Sequence, residues 1–117
     1  MRTLITLIAF CSMLCAQHPT TSFKTAQGDL KLTAIRHASF MLEAGGQVLH
    51  CDPWSQGNYA GVPQADLIII TDTHGDHLDL KALALVRKAS SIIIASPDAA
   101  AKIDGARAMK NGESMQV

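Results

Sequence analysis

Apolar and polar residues alternate with a period of two over residues 30–36 and again over residues 39–43. This period is typical of a β-strand that buries one face. Gly45 and Gly46 follow the second segment and predict a hairpin turn, after which residues 47–53 form a return strand. The first part of the chain is therefore expected to be an antiparallel β-meander.

The pattern changes at residue 65, where the run "ADLIIIT" is apolar with little alternation. Such a run is expected of a strand buried on both faces. Residues 77–89 repeat apolar positions at helical spacing, and "SIIIAS" predicts a second buried strand. Pro97 is placed to begin a short helix, and Asn111-Gly112 predicts a closing hairpin. Together these elements predict an α/β (α+β) fold with a mixed sheet and helices on one face.

Residues 1–16 are expected to be a signal peptide that is removed from the mature protein. Arg2 supplies a positive charge, and residues 4–16 form an uncharged run of 13 residues, which is too short to span a bilayer. A short amphipathic or buried N-terminal helix is the alternative. The polar segment 17–28 is interpreted as a lead-in to a domain over residues 29–117. The mature protein is expected to be secreted or periplasmic.

Composition limits the kinds of partner. The chain has 117 residues, 48% of them apolar, and a formal net charge of zero. Because it has no basic run or aromatic-basic patch, neither nucleic acid nor, after signal cleavage, a membrane is expected as a partner. A small-molecule substrate is expected instead. Cleavage also removes Cys11 and Cys15, which leaves Cys51 as the only thiol and excludes an internal disulfide.

The segment "TDTHGDH", after the first buried strand, concentrates candidate metal ligands. Asp72, His74, Asp76 and His77 lie within six residues. Imidazole nitrogens and carboxylate oxygens suit zinc, manganese or iron, and the end of a strand holds such ligands rigidly. A helix beginning near His77 would favour an anion at its N-terminus. The alternative is a capping loop whose side chains satisfy backbone amides.

The same segment resembles the T-H-x-H-x-D-H signature of the metallo-β-lactamase fold superfamily. The stretch "AIRHASFMLEAGGQVLHCDPW" resembles the early strands of the branch that contains ascorbate-6-phosphate lactonase-like hydrolases, which show a G-H-A-S/T-F opening and an I-D-P-W strand end. Two later stretches, "SIIIASPDAAAKI" and "KNGESMQV", resemble the following strand-helix and hairpin. The resemblance extends from Leu30 to Val117.

This resemblance implies a di-metal hydrolase, usually with zinc, of αββα sandwich architecture. It implies that His74 binds the first ion and that Asp76 and His77 bind the second, with Asp76 as the catalytic carboxylate. Asp72 stands where the superfamily usually has a histidine. An aspartate there can bind zinc, but its negative charge shifts the preference towards harder metals. One or two zinc ions are therefore expected, with manganese or iron as alternatives.

The resemblance also implies that the chain is the N-terminal half of such a domain, because the superfamily's other ligands follow the first sheet. The inner face of that sheet would then be uncovered. The implied function is hydrolysis of a lactone, ester, amide or phosphoester by a metal-bound hydroxide. The alternative is a non-catalytic or degenerate metal-binding module with the same fold.

Two residues outside the loop are further candidates. Asp52, which precedes Pro53 at the end of a strand, is expected to orient a ligand histidine, with an ordinary turn cap as the alternative. His37, in "RHASF", is either a buried strand histidine or a residue that lines the pocket.

Overall fold

The computed structural model describes residues 18–117, so the expected signal peptide lies outside the described residues. The first half is an antiparallel meander in which each strand pairs with the next. Its strands are β1 (Thr20–Thr25), β2 (Gly28–Arg36), β3 (Ser39–Ala44) and β4 (Gln47–Cys51). The expected turn joins β3 to β4, with φ angles of 56° at Gly45 and 81° at Gly46. Glycine adopts such angles at little steric cost.

Pairing becomes parallel after β4. The second half consists of β5 (Ala65–Ile70), α1 (Leu80–Val86), β6 (Arg87–Ala95), α2 (Pro97–Ala100) and β7 (Arg107–Ala108). Parallel neighbours need a crossover connection, and α1 supplies one between β5 and β6. The described chain forms one seven-stranded sheet whose strand order follows the sequence. The expected mixed sheet is confirmed.

One face of the sheet is covered and carries the core. Ile68, Ile70 and Ile93 are at most 1% exposed and form one cluster with Leu83 and Val86 of α1. Farther along this face, residues 54–64 form a loop, and its Pro63 carbonyl lies 2.9 Å from Nε2 of the buried His50. None of the helices in the described range 18–117 is long and apolar enough to cross a membrane.

The opposite face carries a half-buried apolar row. Cross-strand pairing places Leu42 beside Leu49, Leu49 beside Leu67, and Leu67 beside Ile92. These side chains and Val117 line an open groove of about 500 Å³. Both helices pack against the other face, where Leu83 and Val86 of α1 and Ala99 of α2 are buried. Strand β5 is therefore fully buried on one face only, and not on both as its apolar run predicted.

The polar segment interpreted as a lead-in contributes a strand. Strand β1 runs antiparallel to β2 in a register that places Thr20 opposite Thr33. All of its side chains are exposed, so backbone pairing holds it at the edge of the sheet. A strand that buries no side chain has no hydrophobic period, and the sequence pattern therefore did not indicate it.

Two boundaries near the end of the chain also differ from expectation. Helix α1 begins at Leu80, and the strand begins directly after Val86, so the helix is shorter than the 77–89 range. Asn111 and Gly112 form a turn, but in the described chain no return strand follows it. The expected closing hairpin is therefore wrong. A turn signal specifies local backbone geometry, whereas a hairpin also needs a strand that can pair.

Candidate metal centre

The candidate residues meet at one end of the central strands, where β4 and β5 finish and β3 begins. His37 lies in the turn between β2 and β3, Asp52 directly follows β4, and the segment 71–77 follows β5. Antiparallel pairing of β3 with β4 and parallel pairing of β4 with β5 bring these ends together. In α/β sheets the carboxyl ends of parallel strands are the usual place for a ligand site.

Three side chains form a cluster that could hold a metal ion. His37, Asp76 and His77 each place one ligand atom within 4.8 Å of the other two. The Asp76 Oδ2 atom lies 3.0 Å from His37 Nε2 and 3.9 Å from His77 Nε2. Ligands of a tetrahedral zinc ion are about 3.4 Å apart, given metal–ligand distances near 2.1 Å. The spacing and the mixed nitrogen–oxygen donor set both fit a divalent ion of this kind.

Asp52 holds His77 in place from behind. His77 Nδ1 donates to Asp52 Oδ2 at 2.8 Å, and the Thr71 backbone N–H donates to Asp52 Oδ1 at 2.8 Å. The hydroxyl of Thr71 also donates to Asp52 Oδ2, at 2.6 Å. Asp52 is only 2% exposed. A carboxylate in this position fixes the imidazole tautomer and leaves Nε2 as the atom that can bind an ion. This is the contact that the expected orienting role requires.

The same contact changes the proton affinity of His77. The hydrogen bond to Asp52 raises the pKa of His77 above its usual value. A metal ion must displace the proton from Nε2, so binding at this histidine is expected to strengthen as the pH rises. Asp52 therefore increases the basicity of the ligand as well as fixing its orientation.

Asp72 and His74 form a separate pair. His74 Nδ1 donates to Asp72 Oδ2 at 2.6 Å, and the Thr73 backbone N–H donates to Asp72 Oδ1 at 2.6 Å. The bond from His74 lowers the pKa of Asp72, so this carboxylate is ionised at neutral pH. Both side chains are substantially exposed. The four residues of the loop thus divide into two pairs, and only Asp76 and His77 belong to the three-residue cluster.

His37 has an unusual backbone. Its φ angle is 53°, in the left-handed region that glycine favours. A non-glycine residue there costs roughly 1–2 kcal/mol. Its ring is more than half exposed, so burial does not offset this cost. An exposed ion pair such as that with Asp76 contributes at most about 1 kcal/mol. The structure therefore places His37 in an exposed turn beside Asp76, and not inside a buried strand.

The loop returns on itself before α1 begins. The backbone N–H groups of His77 and Leu78 donate to the His74 carbonyl at 2.9 Å and 2.8 Å. Asp79 is the N-cap and accepts from the backbone of Lys81 and Ala82. The helix N-terminus is therefore satisfied by Asp79, and the expectation that it begins near His77 and offers an anion site there is wrong. Propensity alone did not reveal the tight turn over residues 74–77.

Cys51 and His50, which are buried and directly precede Asp52 in the chain, are poor metal ligands. Burial raises the pKa of Cys51 to about 12, so its thiol stays protonated at neutral pH. His50 lies on the covered face and contacts Pro63. Thr71 is the contributor that sequence reasoning missed, although it is the first residue of "TDTHGDH".

Fold and site together define a class: a metal-binding domain with a mixed sheet and its ligands at the carboxyl ends of the parallel strands. The comparison with known families then identifies the chain, because the model of the beta-lactamase superfamily domain matches residues 31–115. The chain belongs to this family. Its match begins in β2 and includes every candidate residue of the site.

Curated relatives carry the same kind of name. A UPF0173 metal-dependent hydrolase of Aeropyrum pernix is 45% identical over 53 residues, which is 41% of this chain and 22% of the relative. A second, from Thermococcus kodakarensis, is 36% identical over 76 residues, or 61% of this chain and 33% of the relative. The matched segments thus span a third or less of these two proteins.

Solved structures agree with the fold. A crystal structure of a protein assigned as a metal-dependent hydrolase from Parabacteroides distasonis is 40% identical, with a TM-score of 0.78. The match covers 82% of this chain and 44% of that one. The metallo hydrolase Igni18 of Ignicoccus hospitalis, 24% identical with a TM-score of 0.61, shares the fold over 75% of this chain. This chain therefore corresponds to less than half of the first structure.

Proposed function

We propose that this chain belongs to a metal-dependent hydrolase and supplies the part of the active site that lies on the first sheet. The cluster of His37, Asp76 and His77, with Asp52 behind His77, is the observation that supports the proposal. An ion held by such ligands polarises a scissile bond and lowers the pKa of a water molecule. The names of the relatives support the same reaction class.

The residues of this chain have separate tasks in the proposed reaction. Asp76 and His77 hold the ion, and Asp52 keeps the His77 ring in the orientation that presents Nε2. Asp72 and His74 are proposed to serve the other ion, which is the first ion in the assignment that the resemblance implies. The cleft beside Thr71, about 290 Å³ in volume and lined in part by Ser96 and Asn111, offers room for a small substrate at the same end of the sheet.

Zinc is the proposed metal, and a lactone, ester, amide or phosphoester is the proposed substrate class. The donor set of imidazole and carboxylate supports zinc, while the additional charge of Asp72 keeps manganese and iron as alternatives. The ascorbate-6-phosphate lactonase-like branch is proposed from "RHASF" and "CDPW". Secretion or export to the periplasm is proposed from residues 1–16.

The chain is further proposed to be the N-terminal half of the functional domain. Two observations support this: the match covers 44% of the Parabacteroides distasonis structure, and the apolar row from Leu42 to Ile92 is only half-buried on the open face. Apolar surface of this kind in a soluble protein is usually covered by another layer. Lacking the other ligands of the superfamily, the 117-residue chain is expected to hold at most one equivalent of zinc, which a chelator removes readily.

The first prediction tests the proposed reaction through Asp76→Asn. This change removes the ligand charge while preserving shape, so turnover in the complete protein should fall by at least about 10²-fold. The measurement is a hydrolysis screen on lactones, β-lactams and phosphodiesters, with the metal content of each preparation determined. Asp98→Asn, on the exposed first turn of α2, is the matched control.

Two results would count against the proposal. Wild-type turnover in the Asp76→Asn variant would refute the metal-dependent mechanism assigned to this loop. Bound metal without turnover on any substrate class would instead favour the non-catalytic module.

A further inference from the structure

We propose that His37 is a metal ligand that completes a three-residue site with Asp76 and His77 inside this chain. The inference rests on the proposed metal-dependent function but adds to it a ligand that precedes the "TDTHGDH" segment by more than 30 residues. The other two residues, Asp76 and His77, come from the segment after β5, whereas His37 comes from the β2–β3 turn. The site would be the one that takes the single equivalent of metal expected of this chain.

The first support is geometric. His37 Nε2 lies 3.0 Å from Asp76 Oδ2, and the same oxygen lies 3.9 Å from His77 Nε2. The His37 and His77 rings lie 6.0 Å apart between centroids and are inclined at 68°. Two imidazole rings that bind one tetrahedral ion approach it from different directions, and rings inclined to one another with ligand atoms within 4.8 Å are compatible with this.

The second support is the position of His37 in the turn. Residues 37 and 38 connect β2 to β3, and the pairing of Arg36 with Ser39 leaves only these two in the loop. The positive φ at His37 turns its side chain towards the 76–77 end of the metal loop, where a glycine would be easier to accommodate. The ring is exposed, so packing in the core does not account for a histidine at this strained position.

The third support is that His77 is already restricted to one ligand atom. Asp52 occupies its Nδ1, so Nε2 faces Asp76 and His37. Trp54 lies beside the His37 ring in an edge-to-face arrangement, with centroids 6.0 Å apart. The ligand atom of His77 is therefore set by Asp52, and the His37 ring is placed by the backbone of its turn, as a preorganised site requires.

The test compares Zn²⁺ affinity, by competition with a chromophoric chelator, in the full chain and in His37→Gly. Glycine removes the ring and relieves the positive φ, so metal-free thermal stability should be unchanged or higher. Zn²⁺ affinity should fall by at least about 10-fold, and added imidazole should restore part of it. The visible spectrum of bound Co²⁺ should also change, because one nitrogen ligand is lost.

His37→Asn provides a second variant, since asparagine also tolerates a positive φ and keeps a polar side chain. His18→Gln is the matched control, because His18 contacts the Asn58 carbonyl away from the cluster and its loss also removes one histidine. The Asn variant should lose Zn²⁺ affinity to a similar degree as the Gly variant. The His18 control should bind as the unmodified chain does.

The outcomes separate this inference from the function on which it rests. If Asp76→Asn lowers Zn²⁺ affinity and neither His37 variant does, the metal site remains and His37 is not its ligand. If none of these variants changes Zn²⁺ binding, both the inference and the proposed function fail. A fall in metal-free stability of both His37 variants, without rescue by imidazole, would assign His37 a structural role and overturn the inference.

Discussion

Asp52 acts on the site at the scale of single atoms. Its two carboxylate oxygens accept from the Thr71 backbone, the Thr71 hydroxyl and His77 Nδ1. Its own backbone has a positive φ of 43°, which aspartate tolerates better than most residues. The carboxylate is buried and both of its oxygens accept hydrogen bonds. It therefore holds the His77 ring in one orientation. One residue thus links the end of β4 to the metal loop.

The second prediction concerns Asp72, which pairs with His74. Asp72→His restores the ligand that is usual in the superfamily, so zinc affinity and activity of the complete protein should be kept or should rise. Asp72→Ala removes the carboxylate and its bond to His74, so both should fall. Zinc titration and turnover of the two variants test this. Equal loss in both would show that the site requires an aspartate here.

The third prediction concerns the buried His50. Burial lowers the pKa of His50 below the usual value of 6.5, and the Pro63 carbonyl and Glu43 offset this only in part. The unfolded chain therefore binds a proton at His50 more readily than the folded chain. Stability from this group is present above about pH 6.5 and is lost as the pH falls through the lower folded pKa.

His50→Gln, which retains a donor for the Pro63 carbonyl, should reduce the loss of stability as the pH falls. Urea unfolding of both proteins at pH 5 and pH 7.5 measures the difference. An identical loss of stability on acidification in the two proteins would show that His50 does not contribute.

At the scale of elements, the connection from β5 to α1 positions the site. Three apolar residues of β5 are anchored between β4 and β6, and the tight turn over residues 74–77 returns the chain before the helix begins. Asp79 then caps α1 and also accepts from the Ser55 backbone at 2.9 Å. Burial alone would raise the pKa of Asp79, but these hydrogen bonds lower it below its usual value. A single side chain therefore joins helix α1 to the 54–64 loop.

The fourth prediction is that Asp79→Ala destabilises the fold by about 1 kcal/mol or more, because it removes an N-cap and an anchor of the 54–64 loop. Urea unfolding of the metal-free chain measures the change. Asp98→Ala is the control, since Asp98 lies in the first turn of α2 and the N-cap there is Ser96. A change no larger than that of the control would show that Asp79 does not cap the helix in solution.

At the scale of the whole molecule, the two sheet faces differ in what covers them. The core face has α1, α2 and the 54–64 loop, whereas the row from Leu42 to Ile92 is half-exposed beside Val117. This asymmetry supports the proposal that the functional domain has a second layer. The signal peptide proposed for residues 1–16 also concerns the whole molecule, because export would determine the compartment in which the domain folds.

The fifth prediction concerns export. The mature chain should begin near Gln17 and be recovered outside the cytoplasm, because residues 4–16 have the length and hydrophobicity of a signal core. Mass spectrometry of the exported protein determines its first residue, and Leu7→Asp in the apolar run should block processing. Finding the chain in the cytoplasm with Met1 intact would contradict the prediction.

The sequence by itself determined the elements whose signal is local. The alternation in β2 and β3, the Gly45-Gly46 turn, the apolar runs of β5 and β6 and the ligand-rich loop were all evident from residue order, because periodicity and turn chemistry act over a few neighbours. The same reasoning missed β1, whose side chains are all exposed, and misplaced the start of α1.

Only the tertiary structure decided which candidate residues meet. Sequence order grouped Asp72, His74, Asp76 and His77, but the structure divided them into two pairs and brought His37 from the β2–β3 turn to Asp76 and His77. It also placed Asp52 against His77. These contacts depend on strand pairing between segments that are distant in the chain. Local patterns do not specify which distant strands become neighbours, because the parallel pairing of β4 with β5 and of β5 with β6 joins segments separated by a loop or a helix.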